Sequence, residues 1–599
     1  MGIINMGIRR SGKKGPGGTS CYFTAGSGGE KLVPGKKTGA LIIGSWTFDE
    51  LFHIAGLDDR DRSAFREKPL FIHYGGWQSW SAGWELGKGE TLPAKVRLIP
   101  DLIKCTSREG DRPGRGWITG HFIMYLRAGD WYLCIASREG NHCPPAGNGE
   151  ISGPAQGHLP PVSYRVNRNL GIVVAEVFCP GRIWRSGEPI AELRIFFAQG
   201  YFHFKDTLAE IYGRQEHFKR LAFLSSAAPE AADNPDAGAP WFRGKDHLPG
   251  GYESWYNHYT QISEALIRSD LEGLEKNGNL IKLRYLDRKK PVIFQIDDGW
   301  ERAVGDWEIH RERFPRGLKP LAEEIENRGY IPGLWIAPFL VTRPCRIFRE
   351  KPEWILRDAE GPVSAGFNHL WSGKYYCLDL SRPEVEEYLS SIIDRAIDEW
   401  GFRYLKLDFL YAGFLLGNFA GGGSPYEHYH RLCSRLTART KTTAGEPVAY
   451  LGCGVPLGPS YRYFPLSRIG ADTREEWDWT AVKLLGHVGR PGAYPNLKDT
   501  IGRSFMDGAV YINDPDVIFL RNKNCTLKPH EKELIALVNF LLAGQIMCSD
   551  DPAELDEETL SLTKGISALY DKLSGDEYGA VQIEKDVYRL ESRSGNITG

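Results

Sequence analysis

The segment that decides the fold runs from Ser381 to Phe409 and reads "SRPEVEEYLSSIIDRAIDEWGFRYLKLDF". Its apolar residues recur at steps of three and four, which predicts an amphipathic helix. These positions are Val385, Leu389, Ile392, Ile393, Ala396, Ile397 and Trp400. Ser381 stands three residues before Glu384, with Pro383 between them, and this spacing predicts a capping box. The strand-like "FRYLKLDF" follows at once, so the segment is one helix–strand unit of an alternating fold.

The same alternation continues through the second half of the chain. Eight short apolar segments each end in polar residues: "GYESW", "VIFQIDD", "GLWIAPF", "YLKLDF", "AYLGCG", "RIGADT", "VYINDPD" and "QIMCSDD". Eight strands separated by helical patterns predict a (β/α)8 TIM barrel.

The first half of the chain has a different texture. Segments such as "HFIMYLRAGDWYLCIAS" and "GIVVAEVFC" are rich in β-branched and aromatic residues and are bounded by turn residues, which predicts an antiparallel β-sandwich. The small, proline-rich "SSAAPEAADNPDAGAP" has the composition of a linker. The predicted layout is an N-terminal segment of unknown role (1–40), a sandwich (41–225), a linker (226–245), a barrel (246–575) and a short C-terminal β tail (576–599).

Composition excludes several classes of protein. The chain has 599 residues, 42% of them hydrophobic, and a formal charge of −2, so disorder is not its main state. Without a basic stripe, nucleic acid is not an expected partner. Its apolar runs are too short to span a membrane, and the first residues lack the apolar core of a signal peptide. Eleven cysteines without paired spacing favour a reducing, cytoplasmic location.

Polar side chains gather where the eight predicted strands end. They are Trp255, Asp297, Asp298, Trp335, Lys406, Asp408, Cys453, Arg468, Asp472, Asp514, Asp516, Asp550 and Asp551. Any single Asp there could simply cap the next helix, but barrel enzymes bind substrate at this end of the strands. Several carboxylates with tryptophans and no histidine cluster favour sugar chemistry, because carboxylates supply the nucleophile and acid while indole faces a pyranose ring. Only "DPD" and "SDD" hint at a metal, so no metal and no cofactor is expected.

These motifs resemble the bacterial α-galactosidases (melibiases) of glycoside hydrolase family 36. The matching pieces, in family order, are "WQSWSAGW", "GYESWYNHY", "IDDGW", "GLWIAPF", "CLDLSRPEV", "YLKLDF", "LGCGVPLGP", "RIGADT" and "NDPD". The resemblance implies an N-terminal β-supersandwich, a (β/α)8 barrel and a small C-terminal β region. The first 40 or so residues match nothing in the family.

The resemblance also implies the catalytic pair. Asp408 corresponds to the nucleophile and Asp472 to the general acid/base of a retaining mechanism, in which the two carboxyls lie about 5–5.5 Å apart. Lys406 precedes Asp408 by two residues, so both side chains face one side of a strand and the ammonium is expected to keep Asp408 ionised. Arg468 corresponds to the companion of the acid/base region.

The remaining assignments concern the sugar. Asp297 and Asp298 correspond to a clamp on the 4- and 6-hydroxyls, and Trp255 and Trp335 to walls of the galactose subsite. Trp80, in "WQSW", corresponds to a residue that is delivered from the sandwich to the pocket, although it could instead be a core tryptophan. Cys453 corresponds to a residue beside the 2-hydroxyl, although it could equally be a buried structural thiol.

The expected function is a retaining exo-α-galactosidase that acts on small α-1,6-galactosides such as melibiose or raffinose, as a monomer or small homo-oligomer. Three alternatives stay open: an α-N-acetylgalactosaminidase or a transglycosylase with the same machinery, a galactoside-binding protein without catalysis, and a metal-dependent barrel hydrolase.

Overall fold

The computed structural model describes residues 4–10, 19–25, 40–90, 117–139, 159–178, 188–212, 221–224, 245, 248–276, 278–480 and 490–595. Of the predicted linker, only Lys245 is among them. The described part contains two large antiparallel sheets, one large parallel sheet, and smaller antiparallel ribbons.

The two antiparallel sheets lie in the N-terminal region. One has seven strands, in the order Ile4–Arg10, Thr19–Ala25, Pro189–Gln199, Trp131–Ser137, Ile123–Ala128, Leu70–Gly75 and Gly83–Leu86. The other has four, in the order Ala40–Thr47, Ile172–Phe178, Val162–Asn167 and Trp117–His121. Strands within the first 40 residues therefore pair into the larger sheet, a role that the sequence did not reveal. Helices Phe48–Ala55, Asp59–Arg66 and Tyr201–Tyr212 accompany these sheets.

The parallel sheet has nine strands. Their order is Ile512–Asp514, Leu466–Arg468, Ala449–Gly452, Tyr404–Leu407, Tyr330–Ile336, Val292–Ile296, Gly250–Glu253, Ile546–Cys548 and Val517–Ile518. The two strands at its edges are consecutive in the chain, with only Pro515 and Asp516 between them. The sheet therefore curls until its edges adjoin, and each of the eight predicted strand segments contributes to it.

One strand boundary differs from the prediction. The segment "RIGADT" was expected to be a strand, but the strand is Leu466–Arg468 and Asp472 lies in the loop that follows. Its ladder pairs Arg468 with Asp514, the last residue of the neighbouring strand. Pro515 comes next and has no N–H with which to continue the ladder.

Helices alternate with these strands. The longer ones are Glu264–Lys276, Lys319–Asn327, Pro383–Asp394, Pro425–Leu436, Ala493–Gly502, Pro529–Leu542 and Glu557–Leu573. The shorter α-helices are Trp255–His258, Arg346–Glu350 and Leu457–Ser460. The 3-10 turns are Ala222–Leu224, Tyr259–Gln261, Pro352–Trp354, His369–Trp371, Leu410–Phe414 and Ser504–Met506. The segment Lys282–Leu286 is π-helical.

The helix predicted from the deciding segment is confirmed, but its capping box is wrong. The α-helix Pro383–Asp394 continues as a π-helical turn, Arg395–Glu399, and all seven predicted apolar positions are buried. Arg382, not Ser381, is the residue that precedes the first turn. Ser381 lies one residue too early, and its hydroxyl donates instead to Asp379 Oδ1 at 2.6 Å.

Smaller ribbons complete the described fold. An antiparallel sheet of Leu340–Thr342, Gly373–Cys377 and Ser364–Asn368 is inserted after the strand Tyr330–Ile336, together with the ribbon Arg357–Asp358 and Gly361–Pro362. The C-terminal hairpin pairs Tyr578–Glu584 with Val587–Ser592. It is tied to the sandwich by ion pairs, among them Lys205 Nζ to Glu577 Oε1 at 2.7 Å.

The motif "WQSW" connects the sandwich to the loops that follow the parallel strands. Ser79 N donates to Val455 O at 2.8 Å, and Gln78 forms an isolated bridge with Pro456. These contacts set Trp80 against the loops that follow the parallel strands. Among the described residues, no helix has the length and apolar character needed to cross a bilayer.

Candidate active site

A cavity opens at the carboxyl ends of the parallel strands, with about 1040 Å³ of space when its mouth is included. Nine of the ten predicted site residues line it: Trp80, Trp255, Asp297, Asp298, Trp335, Lys406, Asp408, Arg468 and Asp472. Cys453, the tenth, is fully buried and does not line the cavity. Its thiol lies close enough to Asp408 for that charge, after burial itself, to raise the pKa of Cys453.

Lys406 holds the floor of the cavity through two carboxylates. Its Nζ lies 2.9 Å from Asp297 Oδ2 and 3.5 Å from Glu253 Oε2, all three side chains being buried. Burial acts to lower the pKa of Lys406, but the two carboxylates outweigh it and raise that pKa. These two ion pairs are the ones that the described residues show for Lys406, and the expectation that its ammonium keeps Asp408 ionised stays a prediction. The carboxylates that bind the ammonium stand at the ends of the strands Val292–Ile296 and Gly250–Glu253, and they reach it on the inner side of the curled sheet.

Asp408 is oriented by neutral donors. Trp335 Nε1 donates to its Oδ2 at 2.9 Å, and the backbone N–H of Phe409 donates to its Oδ1 at 2.7 Å. Phe409 has a φ of 56°, a left-handed conformation that a bulky residue rarely adopts. Strain of this kind is typical of functional sites, and here it accompanies the turn that presents the Asp408 carboxylate to the cavity.

Asp472 reaches the cavity from the loop after the strand Leu466–Arg468. About 40% of its side-chain surface is open, and Arg468 Nη1 lies 3.2 Å from its Oδ1. Although this surface faces the cavity, the protein that surrounds the carboxyl raises the pKa of Asp472 to about 7, chiefly by desolvation and then by the charge of Asp516. A carboxyl that keeps a proton near neutral pH, together with a carboxylate held by donors, can supply an acid and a nucleophile.

Asp298 belongs to a second pair of carboxyls, which the sequence did not reveal. Trp371 Nε1 donates to its Oδ2 at 2.7 Å, and the Glu301 carboxyl is hydrogen-bonded to it. Burial raises the pKa of Asp298 to about 6 and raises that of Glu301 as well. Two buried carboxyls in contact share a proton, because both cannot be charged at once.

Trp80 lies in the wall of the cavity. The residue is 6% exposed and packs edge-on against Phe409, with ring centroids 4.9 Å apart. Its indole Nε1 has no hydrogen-bond partner among the described residues. Trp80 is thus both packed and turned toward the site, so the two alternatives raised by its sequence motif are not exclusive.

Several lining residues were missed by sequence reasoning. They are Tyr256, Phe367, Asn368, Trp371, Tyr375, Phe409, Ala471, Trp479, Arg490 and Pro491. Tyr256, Phe409 and Ala471 stood inside quoted motifs, and their position beside strand ends was the available signal. Asp516, which also lines the cavity, was among the predicted polar strand ends. Of the others, Phe367, Asn368 and Tyr375 lie in strands of the inserted antiparallel sheet and Trp371 in the turn between them, whereas Trp479, Arg490 and Pro491 lie outside regular elements. The described residues contain no group of three or more His, Cys, Asp or Glu side chains arranged to hold a metal ion.

Comparison with known proteins gives this geometry a context. The sequence profile of the Melibiase family matches residues 279–412. The α-galactosidase AgaA of Geobacillus stearothermophilus is 32% identical over 120 residues, which is 19% of this chain and 16% of that protein. A probable α-galactosidase C of Aspergillus flavus is 28% identical over 322 residues, 50% of this chain and 38% of that protein. The matches thus span well under half the length of these curated relatives.

Solved structures match over a longer range. An α-galactosidase from Thermus thermophilus in complex with stachyose superposes with a TM-score of 0.62 at 25% identity, covering 94% of this chain and 98% of that one. The same enzyme in complex with p-nitrophenyl α-D-galactopyranoside gives a TM-score of 0.63 at 24% identity, with 98% and 97% covered. The chain resembles the family 36 α-galactosidases. The residues matched by the Melibiase profile include Asp297, Asp298, Trp335, Lys406 and Asp408, so the family likeness covers much of the cavity described above.

Proposed function

We propose that the protein is a retaining exo-α-galactosidase, with Asp408 as nucleophile and Asp472 as general acid/base. The observation that carries the proposal is the different setting of the two carboxyls in one cavity. Asp408 accepts two hydrogen bonds from neutral donors, whereas the pKa of Asp472 is raised to about 7. A retaining glycosidase needs this division between an ionised nucleophile and a protonated acid.

In the first step, Asp408 attacks the anomeric carbon while Asp472 gives its proton to the departing oxygen, so that a galactosyl–enzyme ester forms. In the second step, Asp472 accepts a proton from water, and the hydroxide equivalent displaces Asp408. Asp297 and Asp298 accept hydrogen bonds from the 4- and 6-hydroxyls in this scheme. Lys406 fixes Asp297 for that task, since its ammonium lies 2.9 Å from the carboxylate.

The substrate class follows from the neighbours. The Thermus thermophilus structures contain stachyose and a nitrophenyl galactoside, so small α-galactosides of the melibiose and raffinose type are the proposed substrates. A panel of p-nitrophenyl α-galactoside, α-glucoside and α-N-acetylgalactosaminide tests this. Preferential release from the galactoside supports the proposal, and preferential release from the N-acetylgalactosaminide favours the closest alternative. Product analysis with raffinose separates hydrolysis from transfer.

The catalytic assignments have their own test. In Asp408→Gly, azide can attack the anomeric carbon directly, so an activated α-galactoside should give β-galactosyl azide. In Asp472→Gly, nitrophenolate still leaves without protonation, and azide should then intercept the covalent intermediate to give α-galactosyl azide. The opposite anomers would exchange the two roles. Full activity in either variant would remove that residue from the mechanism and favour a different hydrolase.

Finer structural expectations complete the proposal. The adjoining edges of the parallel sheet favour a closed (β/α)8 barrel in which the strand around Pro515 is broken in two. We retain the proposed domain bounds of 246–575 for the barrel and 576–599 for the tail. The eight cysteines that the structure describes are free thiols, which agrees with a reducing, cytoplasmic location. A monomer or small homo-oligomer is proposed, which light scattering would test.

A further inference from the structure

Three carboxylates surround the guanidinium of Arg468. Its Nε lies 2.9 Å from Asp514 Oδ2, its Nη2 lies 3.0 Å from Asp516 Oδ1, and its Nη1 lies 3.2 Å from Asp472 Oδ1. The guanidinium is 2% exposed. The proposed function gives a task to Asp472 but none to Arg468, Asp514 or Asp516. The two carboxylates of the pattern "DPD", which hinted at a metal site, thus bind a guanidinium.

Asp516 is held more firmly than an ordinary ion-pair partner. Its Oδ2 accepts from the hydroxyl of Tyr256 at 2.6 Å and from the backbone N–H of Thr473 at 2.9 Å. Thr473 follows Asp472 directly, so Asp516 also fixes the backbone beside that residue. Asp516 has a φ of 77°, in the left-handed region. Asp and Asn adopt this conformation more readily than other residues with a Cβ, and the contacts around Asp516 hold it there.

We propose that Asp516 and Asp514 are positioning residues for the acid/base, because they hold the Arg468 guanidinium against Asp472 and also offset its positive charge. The inference rests on the proposed function. A guanidinium alone at this distance favours the ionised form of a carboxyl and would lower its pKa by about 1–3 units. Such a cation would orient Asp472 but would also strip the proton that the first step requires. Two further carboxylates on the same guanidinium remove that conflict.

The charges around Asp472 agree with this reading. After burial, the Asp516 carboxylate is the largest cause that raises the pKa of Asp472, and it outweighs the opposing effect of Arg468. Four other charged or titratable groups act on Asp472. Lys406 lies in the strand Tyr404–Leu407, and Asp408 directly follows it. Cys453 directly follows the strand Ala449–Gly452, and Tyr256 lies in the short helix Trp255–His258. Asp408 raises the pKa of Asp472 and Lys406 lowers it; neither contacts Arg468 in an ion pair.

The test is the pH dependence of kcat/KM in Asp516→Asn. Asparagine keeps the size of the side chain and tolerates left-handed backbone, so the variant should fold. Loss of the negative charge should move the alkaline limb for melibiose to lower pH by about one unit. Melibiose should lose more kcat/KM than p-nitrophenyl α-galactoside, whose leaving group needs little protonation. Asp514→Asn should shift the limb in the same direction.

The control is Asp306→Asn. Asp306 is also buried and accepts backbone N–H groups, from Arg346 at 2.7 Å and Ile347 at 3.1 Å, but it does not line the cavity. This variant should not move the limb. An unmoved limb in Asp516→Asn, or equal losses on both substrates, would overturn the inference and leave Asp516 a purely structural residue.

Failure of the proposed function itself would be recognised separately. Wild-type protein without turnover of any α-galactoside would reject that function. The inference would then be decided by infrared titration of the Asp472 carboxyl, identified by its absence in Asp472→Asn. A lower midpoint in Asp516→Asn than in wild type supports the inference, and an equal midpoint rejects it.

Discussion

Replacement of Trp80 by phenylalanine should separate stability from activity. The indole Nε1 is buried at the cavity wall without a partner among the described residues. A buried donor without a partner costs about 1–3 kcal/mol, so Trp80→Phe removes a liability from the ligand-free protein. Loss of part of the ring opposes that gain, because the smaller side chain packs less well against Phe409. We expect the free energy of unfolding to change by less than about 1 kcal/mol.

Activity should respond differently. If the orphan N–H donates to a sugar hydroxyl, its loss removes a hydrogen bond of about 1 kcal/mol, which corresponds to a roughly fivefold fall in kcat/KM on p-nitrophenyl α-galactoside. Trp80→Ala should lose more kcat/KM than Trp80→Phe, and it should also lower the free energy of unfolding by about 3–5 kcal/mol.

Trp77→Phe is the matched control for this experiment. Trp77 belongs to the same motif, is 5% exposed and packs edge-on against Phe414, but it does not line the cavity. The substitution removes the same atoms, so it should cost about 1–2 kcal/mol of stability and leave kcat/KM unchanged. Unchanged kcat/KM in Trp80→Phe, together with a stability loss equal to that of Trp77→Phe, would refute a donor role for Trp80.

Three other predictions concern separate parts of the molecule. Asp298→Asn should lower kcat/KM on p-nitrophenyl α-galactoside by about 30-fold or more, since a charge-assisted hydrogen bond in the transition state is worth about 2 kcal/mol; an unchanged value would remove Asp298 from the sugar clamp. Phe367 is 51% exposed at the cavity mouth, and Phe367→Ala should raise KM for raffinose without altering the stability. Leu416→Ala, at an exposed position outside the cavity, should change neither KM nor the stability. Glu577 is buried beside Lys205 and Arg593, whose charges outweigh burial and lower its pKa to about 2. The free energy of unfolding of the wild type should therefore exceed that of Glu577→Gln by about 3 kcal/mol at pH 7, and this difference should shrink as the pH falls below about 4.5 in denaturant titrations. A difference in stability that does not depend on pH would contradict the ionic origin.

The sequence was most informative where one strong pattern acts alone. The helix Pro383–Asp394 and the strand Tyr404–Leu407 follow from apolar spacing, because burial of one face decides both. The polar strand ends were also predictable as a group, since parallel strands bring their carboxyl ends to one edge. That reasoning placed Asp408 and Lys406 in one cavity.

Details set by competition between partners could not be predicted. The ammonium of Lys406 was expected near Asp408, but its ion pairs are with Asp297 and Glu253, which stand at the ends of two strands that do not adjoin its own. Trp371 reaches Asp298 from a turn next to an inserted ribbon, and no spacing in the sequence relates the two. The strand at Arg468 pairs with Ile512–Asp514 and ends where that strand is followed by Pro515, a residue distant in sequence from the segment itself.

Within the part of the cavity that the structure describes, each cation is paired with carboxylates, so none presents an uncompensated positive charge to the sugar of the proposed reaction. Among the described lining residues, Lys406 is held by Asp297, Arg468 by Asp514 and Asp516, and Arg490 by both oxygens of Asp478, at 2.6 and 2.8 Å. The transition state of glycoside cleavage carries positive charge on the ring. A free cation would oppose that charge in a buried site, where electrostatic interactions are strong. Neutralised cations can instead orient carboxylates, and in the proposed mechanism Asp408, which accepts from an indole and a backbone N–H, faces the anomeric carbon.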